Sequence, residues 1–178
     1  MKPVITRSIL ALAACSALSA HAVTVTSTYI QNSATEIRGM LGQYARPTVY
    51  VNQYACGERS LSAFACGPYT ISVGTSFLQS QESYGNYVSK FILAHEWGHT
   101  IQYTHGINKA APYQELQADC TGGSFVKHAE TKLRYAPFIS AAVLSARAAA
   151  DYGEHGTPSQ RDYYARYGYS NGFNACFR

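Results

Sequence analysis

His95-Glu96-Trp97-Gly98-His99 is the stretch whose residue types and spacing could do chemistry. On a helix, residues four apart project from one face, so both imidazoles can reach a single metal ion. Glu96 lies one residue on, about 100° round the helix. That direction takes it out of the ligand set and puts it beside a metal-bound water. Metal-assisted peptide hydrolysis needs this division of labour. Zinc lowers the pKa of the water and polarises the scissile carbonyl, while Glu96 takes the water's proton and passes it to the leaving amine. The preceding run Phe91-Ile92-Leu93-Ala94 is apolar. The motif is therefore expected to be partly buried, where a carboxylate between two imidazoles is costly unless something pairs with it.

A catalytic zinc needs a third protein ligand and an open fourth position. Glu115-Leu116-Gln117-Ala118-Asp119 offers two carboxylates, four apart on one helical face. A turn around Gly106 to Pro112 and a returning helix would bring Glu115 to the metal. Asp119 would then accept the N–H of a zinc-bound His and fix its tautomer. Alone, such a pair reads as two solvated carboxylates; beside the HExxH run, the ligand reading is preferred.

These residues also carry a resemblance. His-Glu-x-Gly-His followed by Glu-Leu-Gln-Ala-Asp-Cys resembles the bacterial neutral zinc metallopeptidases of the gluzincin type. Ala55-Cys56-Gly57, Cys66-Gly67-Pro68 and Thr75-Ser76-Phe77 are similar to that family's approach to its zinc helix. His155-Gly156-Thr157, Gln160-Arg161, Gly168, Gly172 and Cys176 are similar to its C-terminal segment. The likeness runs from about Pro47 to Cys176 and implies a zincin-like fold, Zn2+ and peptide-bond hydrolysis, but no particular substrate. Two positions depart: Trp97 and Thr100 stand where a small apolar residue and a third His are expected. Gluzincins also carry a group that stabilises the oxyanion. The resemblance singles out His155, whose other reading is a residue that orders its loop. Tyr103, Tyr163 and Tyr164 are weaker candidates for that role.

Other polar residues read as structural. His105 ends the zinc helix, where a cation suits the dipole. His128 is turned well away from the ligand face. Arg161 is expected to pair with a carboxylate and Gln160 to act as a cap. Gly122-Gly123 either permits close helix packing near the metal or weakens its helix.

The elements that must position the site follow from periodicity. Ser33 to Tyr44 has helical spacing, with Ser33 or Asn32 as the cap. Thr48 to Tyr54 and Tyr69 to Ser76 read as strands, with a loop from Cys56 to Gly67 between them. Helices are predicted over Asn86 to Tyr103, Gln114 to His128 and Pro137 to Ala150. A fourth opens at Thr157-Pro158-Ser159-Gln160, a capping box with Pro at the first helical position. A small β-sheet followed by mostly helices indicates an α+β domain, with the zinc site on two helices.

The chain has 178 residues, suited to one domain. Residues 1–22 read as a cleavable export signal: Lys2 and Arg7, an apolar run too short to span a bilayer, then Ala20-His21-Ala22. The catalytic domain would be 23–178, in the periplasm or secreted. Leu12-Ala13-Ala14-Cys15 admits a second route, a lipid anchor on Cys15. No other stretch is apolar and long enough to cross a membrane. Removing Lys2 and Arg7 leaves a mildly basic balance with scattered charges, which predicts no nucleic-acid partner. Cys56, Cys66, Cys120 and Cys176 remain, an even count that suits two disulfides in an exported chain. Of three pairings, Cys56–Cys66 closes a local loop and Cys120–Cys176 ties the tail to the middle of the domain; buried free thiols are the other reading. The expected partner is a peptide or protein, laid against an edge strand near Tyr69 to Ser76. The competing reading is a non-catalytic zincin-fold binding module of the envelope or secreted fraction.

Overall fold

The computed structural model describes residues 22–178. The expected export signal, apart from Ala22, and the alternative anchor site at Cys15 lie outside the described residues. The first element is α1, Ser27–Leu41, which buries Ile30, Ala34, Ile37 and Leu41 at helical spacing. It starts earlier than Ser33. Thr26 is the cap and accepts a hydrogen bond from Tyr29 N at 3.1 Å. Ser33 instead donates back to the Tyr29 carbonyl and accepts from the buried Lys90 ammonium.

The strands β1 (Thr48–Val51), β2 (Tyr54–Ala55), β3 (Glu58–Arg59), β4 (Ala63–Ala65) and β5 (Thr70–Val73) follow. The segment predicted as a plain loop thus holds two short strands, β3 and β4. Cys56 and Gly57 have φ of 57° and 85°. Positive φ at both central residues is what a two-residue hairpin turn requires, so β2 and β3 close tightly. The Cys56–Cys66 disulfide pins this hairpin beside β4. The main sheet has the order β1-β5-β4, with β1 parallel and β4 antiparallel to β5. The strand expected to lie at the edge, within Tyr69 to Ser76, is therefore central, because β4 takes up its second hydrogen-bonding edge. The edge on that side is β4.

The helices α2 (Thr75–Gln81), α3 (Val88–Thr104), α4 (Tyr113–Lys132), α5 (Ile139–Ala148), α6 (Pro158–Asn171) and α7 (Phe173–Cys176) complete an α+β domain. Helix α3 is buried on nearly all sides, which explains why its sequence is apolar with little amphipathic contrast. Its first turn is capped from a distance: the Glu82 carboxylate accepts from Tyr87 N at 2.6 Å and Ser89 N at 2.9 Å. Glu130 does the same for α5 through Phe138 N and Ile139 N. Trp97 is fully buried and donates to the Ala45 carbonyl, and Thr100 is sealed beside it. Both residues thus fill core rather than site. The capping box at Thr157 and Gln160 forms with both hydrogen bonds present.

Gly122-Gly123 does not break α4. A Cβ on Gly123 would lie 1.8 Å from the Ala165 carbonyl oxygen of α6, and one on Gly168 would lie 1.9 Å from the Cys120 oxygen of α4. The two backbones touch there, and the second disulfide, Cys120–Cys176, braces the same face. Among the described residues no helix is long and apolar enough to cross a membrane.

This packing predicts opposite outcomes for two Gly→Ala changes. Gly123→Ala forces the helices apart and should cost about 3 kcal/mol or more. Gly39→Ala, on the exposed side of α1 with nothing near its Cβ position, should stabilise by about 0.5–1 kcal/mol. Denaturant midpoints of the two variants check both signs.

Candidate metal centre

Helix α3 carries His95, Glu96 and His99, and α4 carries Glu115 and Asp119. Gly98, inside the motif, lets the helices approach: a Cβ there would meet Ala118 Cα at 3.0 Å and Thr121 Cβ at 3.1 Å. The close approach brings three donor groups together. His95 Nε2 and His99 Nε2 stand 3.1 Å apart. Each lies 3.2 Å from one Glu115 carboxylate oxygen. His95, His99 and Glu115 form a group that could hold a metal ion. Tetrahedral ligands about 2.0–2.2 Å from a cation stand about 3.3–3.6 Å apart, close to this spacing.

The outer ring nitrogens explain why the donors converge. The Asp119 carboxylate can only accept, so His95 Nδ1–H donates to it, at 2.9 Å. The Gln102 amide nitrogen donates to the Gln114 carbonyl at 2.8 Å and to Gln117 Oε1 at 3.1 Å. Its oxygen therefore receives the hydrogen bond from His99 Nδ1–H, at 2.8 Å. Both imidazoles are thereby held as Nδ1–H tautomers with Nε2 lone pairs aimed at one point. Two lone pairs and a carboxylate at such spacing repel unless a cation or proton lies between them. The donor set fits a metal ion.

The electrostatics show the same pull for positive charge at this point, with a proton on His95 in the cation's place. Burial opposes charge on His95, but the Asp119 and Glu115 carboxylates outweigh it and raise its pKa to about 10. Burial likewise opposes charge on Glu115, yet the two imidazoles hold its carboxyl far below the usual range. Asp119 is fully buried and stays ionised because Arg161 grips it with two bonds of 2.7 Å, aided by His95.

These groups open on a cleft of about 530 Å³, floored by α3 and α4 and walled by β4, α2 and α5. Glu96 lines it and is 7% exposed, and its carboxylate makes no hydrogen bond with any described residue. His155 also lines it. Asp151 accepts from His155 Nδ1 at 2.7 Å and from His155 N at 2.9 Å, leaving Nε2 free. The His155 and Gly153 hydrogen bonds hold the Asp151 carboxyl down to about 2. Tyr103 lines the cleft; Tyr163 and Tyr164 line a separate groove. His105 contacts the Tyr44 carbonyl at the end of α3, and His128 lies beside Phe125, outside the cleft.

Sequence reasoning missed Gln102, Gln117 and Asp151. Gln102 was within reach, since it lies one helical turn after His99. Gln117, whose amide nitrogen donates to the Cys176 carbonyl at 2.8 Å, depends on where the tail packs.

His95→Ala or His99→Ala should abolish stoichiometric metal binding, measured by elemental analysis after dialysis. Gln102→Leu removes the acceptor that orients His99 and should weaken metal affinity about ten- to a hundred-fold. Full occupancy in the His95→Ala/His99→Ala protein would overturn the ligand assignment. No family model, no curated protein and no solved structure matches the chain.

Proposed function

We propose that the chain is an exported, zinc-dependent metallopeptidase of zincin-like fold, related to the gluzincins it resembles. The observation that carries this reading is the placement of Glu96. A carboxylate with no hydrogen-bond partner among the described residues lines the same cleft as the convergent His95, His99 and Glu115 donors. A purely structural site has no need of a base beside an open coordination position. Two imidazoles and one carboxylate are a donor set suited to zinc. The two disulfides fit an oxidising compartment, as the export reading requires.

Zinc held there would supply Lewis acidity to a water and to the scissile carbonyl. His95, His99 and Glu115 hold the ion, and Asp119 and Gln102 fix the rings that present it. Glu96 accepts the proton of the attacking water and returns it to the leaving nitrogen, so the proton count closes. His155, oriented by Asp151 through Nδ1, would present Nε2 to the developing oxyanion. The edge strand β4 lines the cleft through Ala63, Phe64 and Ala65 and offers its open side to an extended peptide.

Glu96→Gln separates catalysis from scaffolding. It keeps shape and removes the base, so zinc content and thermal stability should be nearly unchanged. Hydrolysis of a broad peptide library should fall by about a hundred-fold to ten-thousand-fold. Glu115→Gln should lose metal and activity together. A wild-type protein that folds, holds zinc and cleaves no peptide before or after chelation and reloading would favour the binding-module reading.

A further inference from the structure

A second groove of about 260 Å³ lies between the start of α4, α6 and α7. Tyr113, Tyr163, Tyr164 and Tyr167 line it, together with Lys109 and Arg178. Tyr163 stacks on Tyr167 with centroids 5.9 Å apart and meets Tyr164 edge-on at 5.4 Å. The three rings form a continuous platform. Tyr113 and Tyr163 are 52% and 61% exposed, so the core takes little from them. The four phenol hydroxyls, the Lys109 ammonium and the Arg178 guanidinium make no hydrogen bond or ion pair with any described residue. No lining residue is Asp or Glu.

Tyrosine presents a large, rigid, amphipathic surface at low conformational cost, and such rings are enriched where proteins bind partners. Four of them with open hydroxyls around two unpaired cations form a surface complementary to an anionic chain. The groove adjoins the metal cleft at Lys109, which lines both. A polymer leaving the cleft past Lys109 would meet the tyrosine groove next.

We propose that this groove binds an acidic segment of the same extended polypeptide that occupies the metal cleft. Lys109 and Arg178 take Asp or Glu carboxylates, and the tyrosines carry the backbone and apolar side chains between them. The polypeptide, rather than another polymer, follows from continuity with the cleft and so rests on the peptidase reading. The groove confers preference for acidic residues on one side of the scissile bond without touching the reacting atoms.

The test reads binding, so that it does not depend on hydrolysis. Labelled peptides with a Glu-rich flank, and twins with Gln for each Glu, are titrated by fluorescence anisotropy into zinc-loaded Glu96→Gln protein. The Glu peptides should bind about tenfold more tightly at low salt, the scale of two exposed charge contacts. The gap should narrow as salt screens the charges and vanish in the Lys109→Gln/Arg178→Gln protein. Tyr163→Ala should weaken both peptides. Equal affinities overturn the proposal, as does a Glu preference that survives in the double variant. A groove that takes a neutral glycan in place of either peptide also overturns it. Acidic preference in binding with no cleavage by the wild-type chain sinks the peptidase reading and leaves the groove standing; cleavage without that preference does the reverse.

Discussion

Asp119 is a carboxylate with no exposure to water, shared between a bidentate Arg161 and the Nδ1–H of His95. Moving a carboxylate out of water costs several kcal/mol even in a relaxed protein, and only close, well-directed partners offset it. That requirement ties three helices together. Helix α4 supplies the anion, α6 the cation, and α3 the ring that must sit at a fixed orientation. Arg161 is on the first turn of α6, so the capping box at Thr157 and Gln160 sets where its guanidinium enters.

Close approach is the structural condition for this triad. The α4 and α6 backbones touch at Gly123 and Gly168, and α3 meets α4 at Gly98. The Cys120–Cys176 bridge adjoins Asp119 in sequence and fixes the tail carbonyl to which Gln117 donates. From Gln117 the hydrogen bonds pass to Gln102 and then to His99. Each imidazole is thus oriented by a separate route, one ionic and one through neutral amides. The two routes differ in physical character. The ionic one is strong but depends on complete desolvation, whereas the amide chain depends on every member being correctly turned.

The cleft is bounded by elements that contribute little to this network. β4 is a three-residue edge strand held by β5 on one side, and the loop carrying Asp151 and His155 is largely exposed. Helices α3 and α4 hold the donors, while β4, α2, α5 and the exposed Asp151–His155 loop form the walls against which a substrate would lie. That distribution is common where a fixed reactive centre must admit a polymer.

The sequence by itself determined what is local. HExxH spacing on an apolar helix places two imidazoles on one face, and ELQAD repeats the geometry for two carboxylates, because helical periodicity does not depend on the rest of the chain. The Thr157 cap, the Asp119 contact to a His and both disulfide pairings were legible for related reasons: fixed offsets, or few alternatives. Only the tertiary structure decided what depends on long-range neighbours. Tyr69 to Ser76 became central because β4 returned to pair with it. Thr26 replaced Ser33 as the cap because Ser33 faces Lys90. Arg161 found Asp119 and not some other carboxylate because glycine contacts set the distance between α4 and α6. Gln117 reached His99 through Gln102 because the disulfide fixes the tail. In each case the deciding partner lies far along the chain, where no periodicity in the sequence records it.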